Sequence, residues 1–417
     1  MTSQKLKIDF PGVQTRLLPR EEKVVMDCIH NAKVLSMGPR LAELESNFAK
    51  YIGVKYAVGV SSCTAALELV AMLINIGPGD EVIVPAHTFT ATALPFLRAK
   101  SRLIFADIDE NTFVLSAEDV KHKLSKNTKV IVPVHLYGIM APMREICEIA
   151  AEKNITIIED VAQAPGASID GKKAGSWGDF ACFSFHSQKN ITALGEGGMI
   201  VTNDKNSYEK LLGLRKIGSR PYKKQKKYWR PAMSNIVEDV PCKIPYNFAL
   251  AEPNAAAANC ILARIDAINK TRFRQAKLII DALSNFPELE FQRIPKGYKH
   301  VYHLLVARYR AEHSDRNDLI DILYAKYRIK CVVQYNPLYN YELFQRNGYC
   351  AKTCPKSDLF FDNMISFPFW SDMPPEDIDY LTTSIQKAIG YLRKGKDSKR
   401  SDNAVRLAER MQTLFPR

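Results

Sequence analysis

Between residues 53 and 203, short apolar runs alternate with stretches of mixed polarity. Apart from Glu81 and Thr156 at their first positions, the runs 56–60, 81–84, 103–105, 130–134 and 156–158 are apolar along their length rather than at every second position. A strand covered on one face alternates, whereas a strand buried on both faces does not. The runs therefore predict a mostly parallel sheet sandwiched between helices, with 64–74 and 142–153 carrying helical composition. Gly77-Pro78-Gly79-Asp80 marks a sharp turn. After Trp177 the runs shorten to 180–185 and 199–202 and are punctuated by Gly195, Gly197 and Gly198. Residues 215–245 are polar, basic and aromatic without a period, and read as a long loop of the kind that is either functional or disordered. A long helical stretch from 251 to about 283 then leads into elements over 301–309, 316–327 and 378–391. The pattern is that of an α/β protein: a large domain over 1–250 that includes an N-terminal segment, a smaller C-terminal α+β domain over 251–392, and a basic tail over 393–417. No internal repeat is visible.

Composition narrows the picture. With 46% hydrophobic and 25% charged residues, the 417-residue chain has the make-up of an ordinary globular protein large enough for a substantial core. Its start, MTSQKLKIDF, has no apolar leader-like run, and nowhere do eighteen apolar residues follow one another, so a cytoplasmic protein without membrane contact is expected. The nine cysteines are scattered, and Cys350 and Cys354 stand too far apart for a zinc-type pair, so no metal site is expected. The net charge of +13 invites a nucleic-acid partner. Yet eight basic and no acidic residues lie between Arg215 and Arg230, and eight basic against three acidic lie between Arg393 and Arg417. These two segments hold the whole excess, and neither matches a helix-turn-helix or RNA-binding motif. No nucleic-acid partner is expected.

Four local features point to chemistry, each with a plainer alternative. Ser61-Ser62-Cys63-Thr64-Ala65-Ala66-Leu67 lies at a strand-to-helix junction, where free N–H groups and hydroxyls suit a phosphate, or where a hydroxyl simply caps the helix. Ile157-Ile158-Glu159-Asp160-Val161-Ala162-Gln163-Ala164 puts acids at the carboxyl end of a strand, where α/β sheets bind ligands. A carboxylate there either keeps a ring nitrogen protonated or caps the next helix. Phe183-Ser184-Phe185-His186-Ser187-Gln188-Lys189-Asn190 carries a lysine that is either an ordinary surface group or a desolvated amine able to form an imine. Asn247, in Ile244-Pro245-Tyr246-Asn247-Phe248, offers an amide to a phosphate or to a turn.

Taken in order, these stretches, with Gly77 to Pro85 and Val132-Pro133-Val134-His135-Leu136-Tyr137-Gly138, resemble the DegT/DnrJ/EryC1/StrS family of sugar aminotransferases from about Glu21 to about Leu392. The resemblance implies the fold type I architecture of pyridoxal-phosphate enzymes, with pyridoxal 5'-phosphate as cofactor. It implies that Lys189 forms the Schiff base and shuttles a proton, that Asp160 pairs with the ring nitrogen, and that Gln163 sits near the ring hydroxyl. Thr64, the backbone of Ala65, and Ser184 match phosphate-binding positions, and Phe89 matches an aromatic residue that stacks on the ring. Asn247 matches an asparagine that reaches the phosphate from a neighbouring subunit, implying a homodimer with shared sites. Cys63 stands where the family often has glycine, and Ala249 where many members have arginine.

The activity so implied is ping-pong transfer of an amino group from glutamate or glutamine to a keto-sugar, carried on a nucleotide. Alternatives are a keto-cyclitol acceptor, a sugar dehydratase of the same fold, which places a histidine where Lys189 stands here, and a non-catalytic regulatory protein. The basic loop, with Tyr222, Tyr228 and Trp229, is either a cover that binds an anionic part of the acceptor or a plain surface loop.

Overall fold

The computed structural model describes residues 5–220 and 235–394. Its centre is a seven-stranded sheet: β1 (Tyr56–Val60), β2 (Glu81–Pro85), β3 (Arg102–Ala106), β4 (Thr128–Ile131), β5 (Thr156–Asp160), β6 (Phe180–Ser184) and β7 (Gly198–Thr202), in the order β1-β7-β6-β5-β4-β2-β3. The neighbours from β3 to β6 pair in parallel, and β7 runs antiparallel between β6 and β1. The expected mostly parallel sheet is therefore present, with one reversed strand. Strands β2, β6 and β7 are buried along their whole length, which is why their sequences are apolar without alternation.

Helices cover both faces. Among them, α1 (Pro19–Asn31) and α2 (Pro39–Ile52) precede the sheet, and α3 (Cys63–Leu73) follows β1. Helix α2 starts at Gly38, which has no side chain to cap it, and the missing acceptor comes from Glu252 far along the chain. Its carboxylate accepts from the amides of Gly38 at 2.8 Å, Arg40 at 2.8 Å and Leu41 at 3.1 Å. An anion at a helix N-terminus also meets the positive end of the helix dipole.

Two expectations from the sequence need correction. The helical stretch from 251 to about 283 is two helices, α4 (Glu252–Leu262) and α5 (Ile265–Ala282), with Arg264 in a non-helical conformation between them. No glycine or proline causes the break. Arg264 instead turns its guanidinium to Glu21 at 2.7 Å and to the Arg16 carbonyl at 2.6 Å, so tertiary pairing overrides helical propensity. The loop 215–245 is not loop throughout, since Ser219–Arg220 pairs with Asn235–Ile236 as a short antiparallel ladder. Residues 221–234, with Tyr222, Tyr228 and Trp229, lie outside the described residues, as does the tail from 395 onward.

Towards the C-terminus, β8 (Leu289–Phe291), β9 (Leu305–Tyr309) and β10 (Met364–Phe367) form an antiparallel sheet. It packs on α6 (Arg316–Tyr327) and α7 (Pro375–Lys394) around Ala307, Leu323, Phe367, Leu381 and Ile385. This is the smaller α+β layer expected from the sequence. Helix α5 serves both layers, giving Ile265 and Ile268 to the main core and Ala276 and Ile279 to the C-terminal one. Among the described residues no helix is long and apolar enough to cross a membrane.

Removing the Glu252 carboxylate leaves three amides at the start of α2 without their acceptor. Glu252→Ala is expected to lower unfolding stability by about 2–4 kcal/mol. Urea titration checks this as a lower midpoint with an unchanged slope.

Candidate active site

Parallel strands place their carboxyl ends on one edge of the sheet, and the loops leaving that edge form a crevice. Here the segments after β1, β2, β5 and β6 enclose a cavity of about 290 Å³. Its lining includes Ser62, Thr64, Phe89, Asp160, Gln163, Ser184, His186, Lys189, Glu196 and Tyr335. Six of the eight residues singled out from sequence thus meet in one place: Thr64, Phe89, Asp160, Gln163, Ser184 and Lys189. Ala65 and Asn247 do not line it. Asn247 is exposed, and its backbone pairs with Lys216.

Asp160 ends β5 and is nearly fully buried. Its Oδ2 accepts from Thr92 Oγ1 at 2.8 Å and its Oδ1 from the Ala162 amide at 3.1 Å. Burial nevertheless raises its pKa, although these donors and the charge of Lys189 pull the other way. Lys189 shifts in the opposite sense: burial disfavours its ammonium form, and Asp160, Cys63 and Glu196 only partly offset that. Among the described residues no hydrogen bond or ion pair fixes the Lys189 amine, and its backbone amide donates to the His186 carbonyl at 2.9 Å. A desolvated, unanchored amine is the form of lysine that attacks a carbonyl.

The hydroxyl-rich end of the cavity is built by a close approach. Gly198 opens β7 and stands level with Val60 on one side and Ser184 on the other. A Cβ there would come within 2.5 Å of the Ser62 carbonyl carbon and 2.7 Å of the Cys63 nitrogen, so only glycine lets the turn before α3 settle beside Ser184. Ser62 Oγ caps α3 by accepting from the Ala65 amide at 3.0 Å. The plainer reading of this motif, a helix cap, is therefore realised, and the Thr64 hydroxyl, the Ser184 hydroxyl and the start of the helix still face one cavity end. Cys63 is buried there with its thiol pKa pushed well up by desolvation, which keeps it neutral.

The far wall was less visible in the sequence. Gln163 accepts from the Tyr137 amide at 2.8 Å and donates to Tyr335 Oη at 3.2 Å, so its side-chain amide has a fixed orientation. Tyr335 leans against Phe89, with ring centres 5.7 Å apart. Neither Tyr335 nor Thr92 lies in a motif that marks it, and only the fold brings them to Asp160. At the mouth, His186 Nε2 lies 3.7 Å from a Glu196 carboxylate oxygen.

The residues fit pyridoxal phosphate on their own chemistry. A buried carboxylate short of a cation suits a protonated ring nitrogen, an unanchored amine suits an aldehyde, and a helix start with hydroxyls suits a phosphate.

The sequence matches the DegT/DnrJ/EryC1/StrS aminotransferase family over residues 18–386. The chain belongs to that family. It is 32% identical over 354 residues to UDP-N-acetyl-3-dehydro-alpha-D-glucosamine 3-aminotransferase of Acidithiobacillus ferrooxidans, covering 85% of this chain and 89% of that one. Over 261 residues it is 39% identical to GDP-perosamine synthase of Caulobacter vibrioides, covering 62% of this chain and 66% of that one. Among solved structures it is similar to Spr1654 of Streptococcus pneumoniae, assigned as a sugar aminotransferase, in the PMP form. The TM-score is 0.85 at 25% identity, covering 92% of this chain and 99% of that one. The fold is that of pyridoxal-phosphate-dependent aminotransferases.

In this member of the family, the raised pKa of Asp160 has a consequence for stability. Its folded-state pKa lies above that of the unfolded chain, so the native state holds the proton more tightly. Stability from this group is present below the ordinary aspartate pKa and is lost as pH rises towards the raised value. Asp160→Asn removes the charge and with it the penalty. The cofactor-free variant is expected to melt about 1–3 °C above the wild type at pH 7. The two proteins should converge as pH falls below about 4, which thermal melts across pH measure.

Proposed function

We propose that this protein is a pyridoxal-5'-phosphate-dependent aminotransferase that moves an amino group from glutamate or glutamine to a keto-sugar carried on a nucleotide. The observation that carries the reading is the pairing, in one desolvated cavity, of a lysine whose ammonium form is disfavoured with a buried aspartate. The nucleotide-linked acceptor is supported by the relatives named for UDP- and GDP-sugar chemistry.

Bound pyridoxal phosphate would supply an electron sink and carry the amino group between the two substrates. Each residue then has a task that follows from its surroundings. Lys189, whose ammonium form burial disfavours, would serve first as nucleophile and then as the base and acid that moves a proton at the substrate carbon. Asp160 would hold a proton on the ring nitrogen, because a buried carboxylate gains from a cation beside it. Gln163, clamped by the Tyr137 amide and Tyr335, would sit near the ring hydroxyl. Thr64 and Ser184, beside the start of α3, would take the phosphate, and Phe89 would cover the ring. Asn247, exposed and away from its own cavity, would complete the site of a second subunit in a homodimer. With a lysine rather than a histidine at 189, amino transfer is preferred over dehydration.

The test is spectroscopic. Purified protein given pyridoxal phosphate should develop a visible band that bleaches with glutamate or glutamine and returns with a nucleotide-linked keto-sugar. Lys189→Ala should form no such band, and borohydride should leave a pyridoxyl mass on Lys189 in the wild type only. A wild type that stays colourless after incubation with the cofactor would overturn the reading.

A further inference from the structure

The turn that carries Lys189 and the loop that follows Asp160 are joined through two buried asparagines that lie outside the cavity lining. Asn190, next to Lys189, is completely buried. Its Nδ2 donates to Asn269 Oδ1 at 3.1 Å and to the Val301 carbonyl at 3.1 Å, and its Oδ1 lies 3.4 Å from His303 Nδ1. Its carbonyl accepts from Thr15 Oγ1 at 3.0 Å. Asn269 comes from α5, and its Nδ2 donates to the Pro165 carbonyl at 2.9 Å, two residues after Gln163. The path from the lysine turn to the aspartate loop is thus Asn190 to Asn269 to Pro165. The neighbouring Gly166 leaves room for it, because a Cβ there would sit 2.7 Å from Asn269 Nδ2.

Nothing else on the lysine side chain does this work. With no hydrogen bond on its amine among the described residues, the place of Nζ is set by the backbone of its turn. That backbone is held from outside by the Asn190 side chain, by Thr15 on the Asn190 carbonyl, by the Gln14 amide, which donates to the Ser187 carbonyl at 3.1 Å, and by the Gly195 carbonyl, which accepts the Ser187 amide at 2.9 Å. A buried amide with both donors and its acceptor engaged has one orientation, and breaking any of its bonds leaves a desolvated group unpaired.

We propose that the Asn190–Asn269 pair is a positioning device that holds the Lys189 turn against the Asp160 loop and so sets the amine opposite the carboxylate. Its catalytic meaning rests on the function proposed above, but the positioning is a property of the cofactor-free protein and is testable there. The acidic groups whose charge reaches the amine are Asp160 and Glu196, the buried thiol of Cys63 lies beside it, and Lys189 in turn acts on His303.

The experiment is reductive methylation of cofactor-free protein by formaldehyde and cyanoborohydride across pH, read at Lys189 by peptide mass spectrometry with exposed Lys50 as internal reference. In the wild type Lys189 should be labelled at lower pH than Lys50. In Asn269→Ala the Lys189 midpoint should move up towards that of Lys50, and Asn190→Ala, which cuts the same bond from the other side, should give the same shift. Ile385→Ala, a cavity in the C-terminal core, should lower the melting temperature and leave the midpoint where it was. With cofactor bound, both asparagine variants should lose about 10- to 100-fold in the rate of the glutamate half-reaction, with a smaller change in the glutamate KM. If either asparagine variant folded and kept the wild-type labelling midpoint, the pair would be structural only and the inference would fall. A wild type that never forms the cofactor band would remove the proposed function while leaving the labelling result to decide the positioning.

Discussion

A buried guanidinium needs acceptors around it, and Arg272 finds one or more at each of its three nitrogens without, among the described residues, a hydrogen bond to any carboxylate. One turn along α5 from Asn269, it donates to the Tyr302 and His303 carbonyls at 2.8 Å each, to Gln14 Oε1 at 3.0 Å and to Ser371 Oγ at 3.1 Å, and it lies over the Phe369 ring. Burial brings its pKa down to about 9, so it stays cationic at neutral pH. Its acceptors come from three separate stretches of chain: the N-terminal segment, the approach to β9 and the approach to α7. None can leave without stranding a charge in the interior, which makes the arrangement close to all-or-none. The lysine turn hangs from the same cluster, because Thr15 bonds both Asn190 and Ser371 and the Ser371 amide returns to the Gln14 carbonyl. The position of the amine therefore depends on contacts made far from the cavity.

The cavity itself concentrates groups that the fold would be more stable without. Asp160 is a carboxyl whose charged form burial disfavours, and Lys189 is an amine whose ammonium form is disfavoured. Each is kept where it is by neighbours that have no such conflict: the fully buried strands β6 and β7, the Gly198 approach, and the asparagine pair. This division of labour, with satisfied groups around unsatisfied ones, is what a preorganised site needs, since a group that could relax into a better-solvated position would lose its reactivity.

Much of this was legible in the sequence, and the parts that were not have a common cause. Strands buried on both faces announce themselves as apolar runs, and the runs 56–60 and 156–158 fall within β1 and β5. Residues whose role is set by the chain next to them were also visible, such as Lys189 in its glycine-flanked turn and Asp160 at a strand end. Residues whose role is set by a distant partner were not. Arg264 breaks a helix because of Glu21, Glu252 caps a helix that begins two hundred residues earlier, and Thr92, Tyr335 and Asn269 reach the site only through the tertiary fold. Ala65 shows the opposite failure. Its motif was read correctly as a helix start, but the Ser62 cap occupies its amide, and local pattern alone does not choose between cap and ligand.

Glu159 and Asp160 show how little the residue type decides. They are adjacent acids, both buried, at the end of one strand. Because successive side chains leave a strand on opposite faces, they enter different worlds. Glu159 turns away from the cavity and receives the amides of Gly175, Trp177 and Gly178 at 2.8 Å each. His135 adds a fourth bond at 2.9 Å, and its ring orientation is settled by Nδ1 accepting the Ala141 amide, which leaves the proton on Nε2 to face the carboxylate. That carboxylate is saturated and has nothing left to offer a ligand. Asp160 has one donor on each oxygen and a cavity in front of it. Shifting the register of β5 by one residue would exchange the two fates, placing the longer, unsupported Glu159 at the cavity and Asp160 in a nest of amides it is too short to reach. The chemistry available at this site is therefore fixed by the pairing of β5 with β4 and β6 before any ligand arrives.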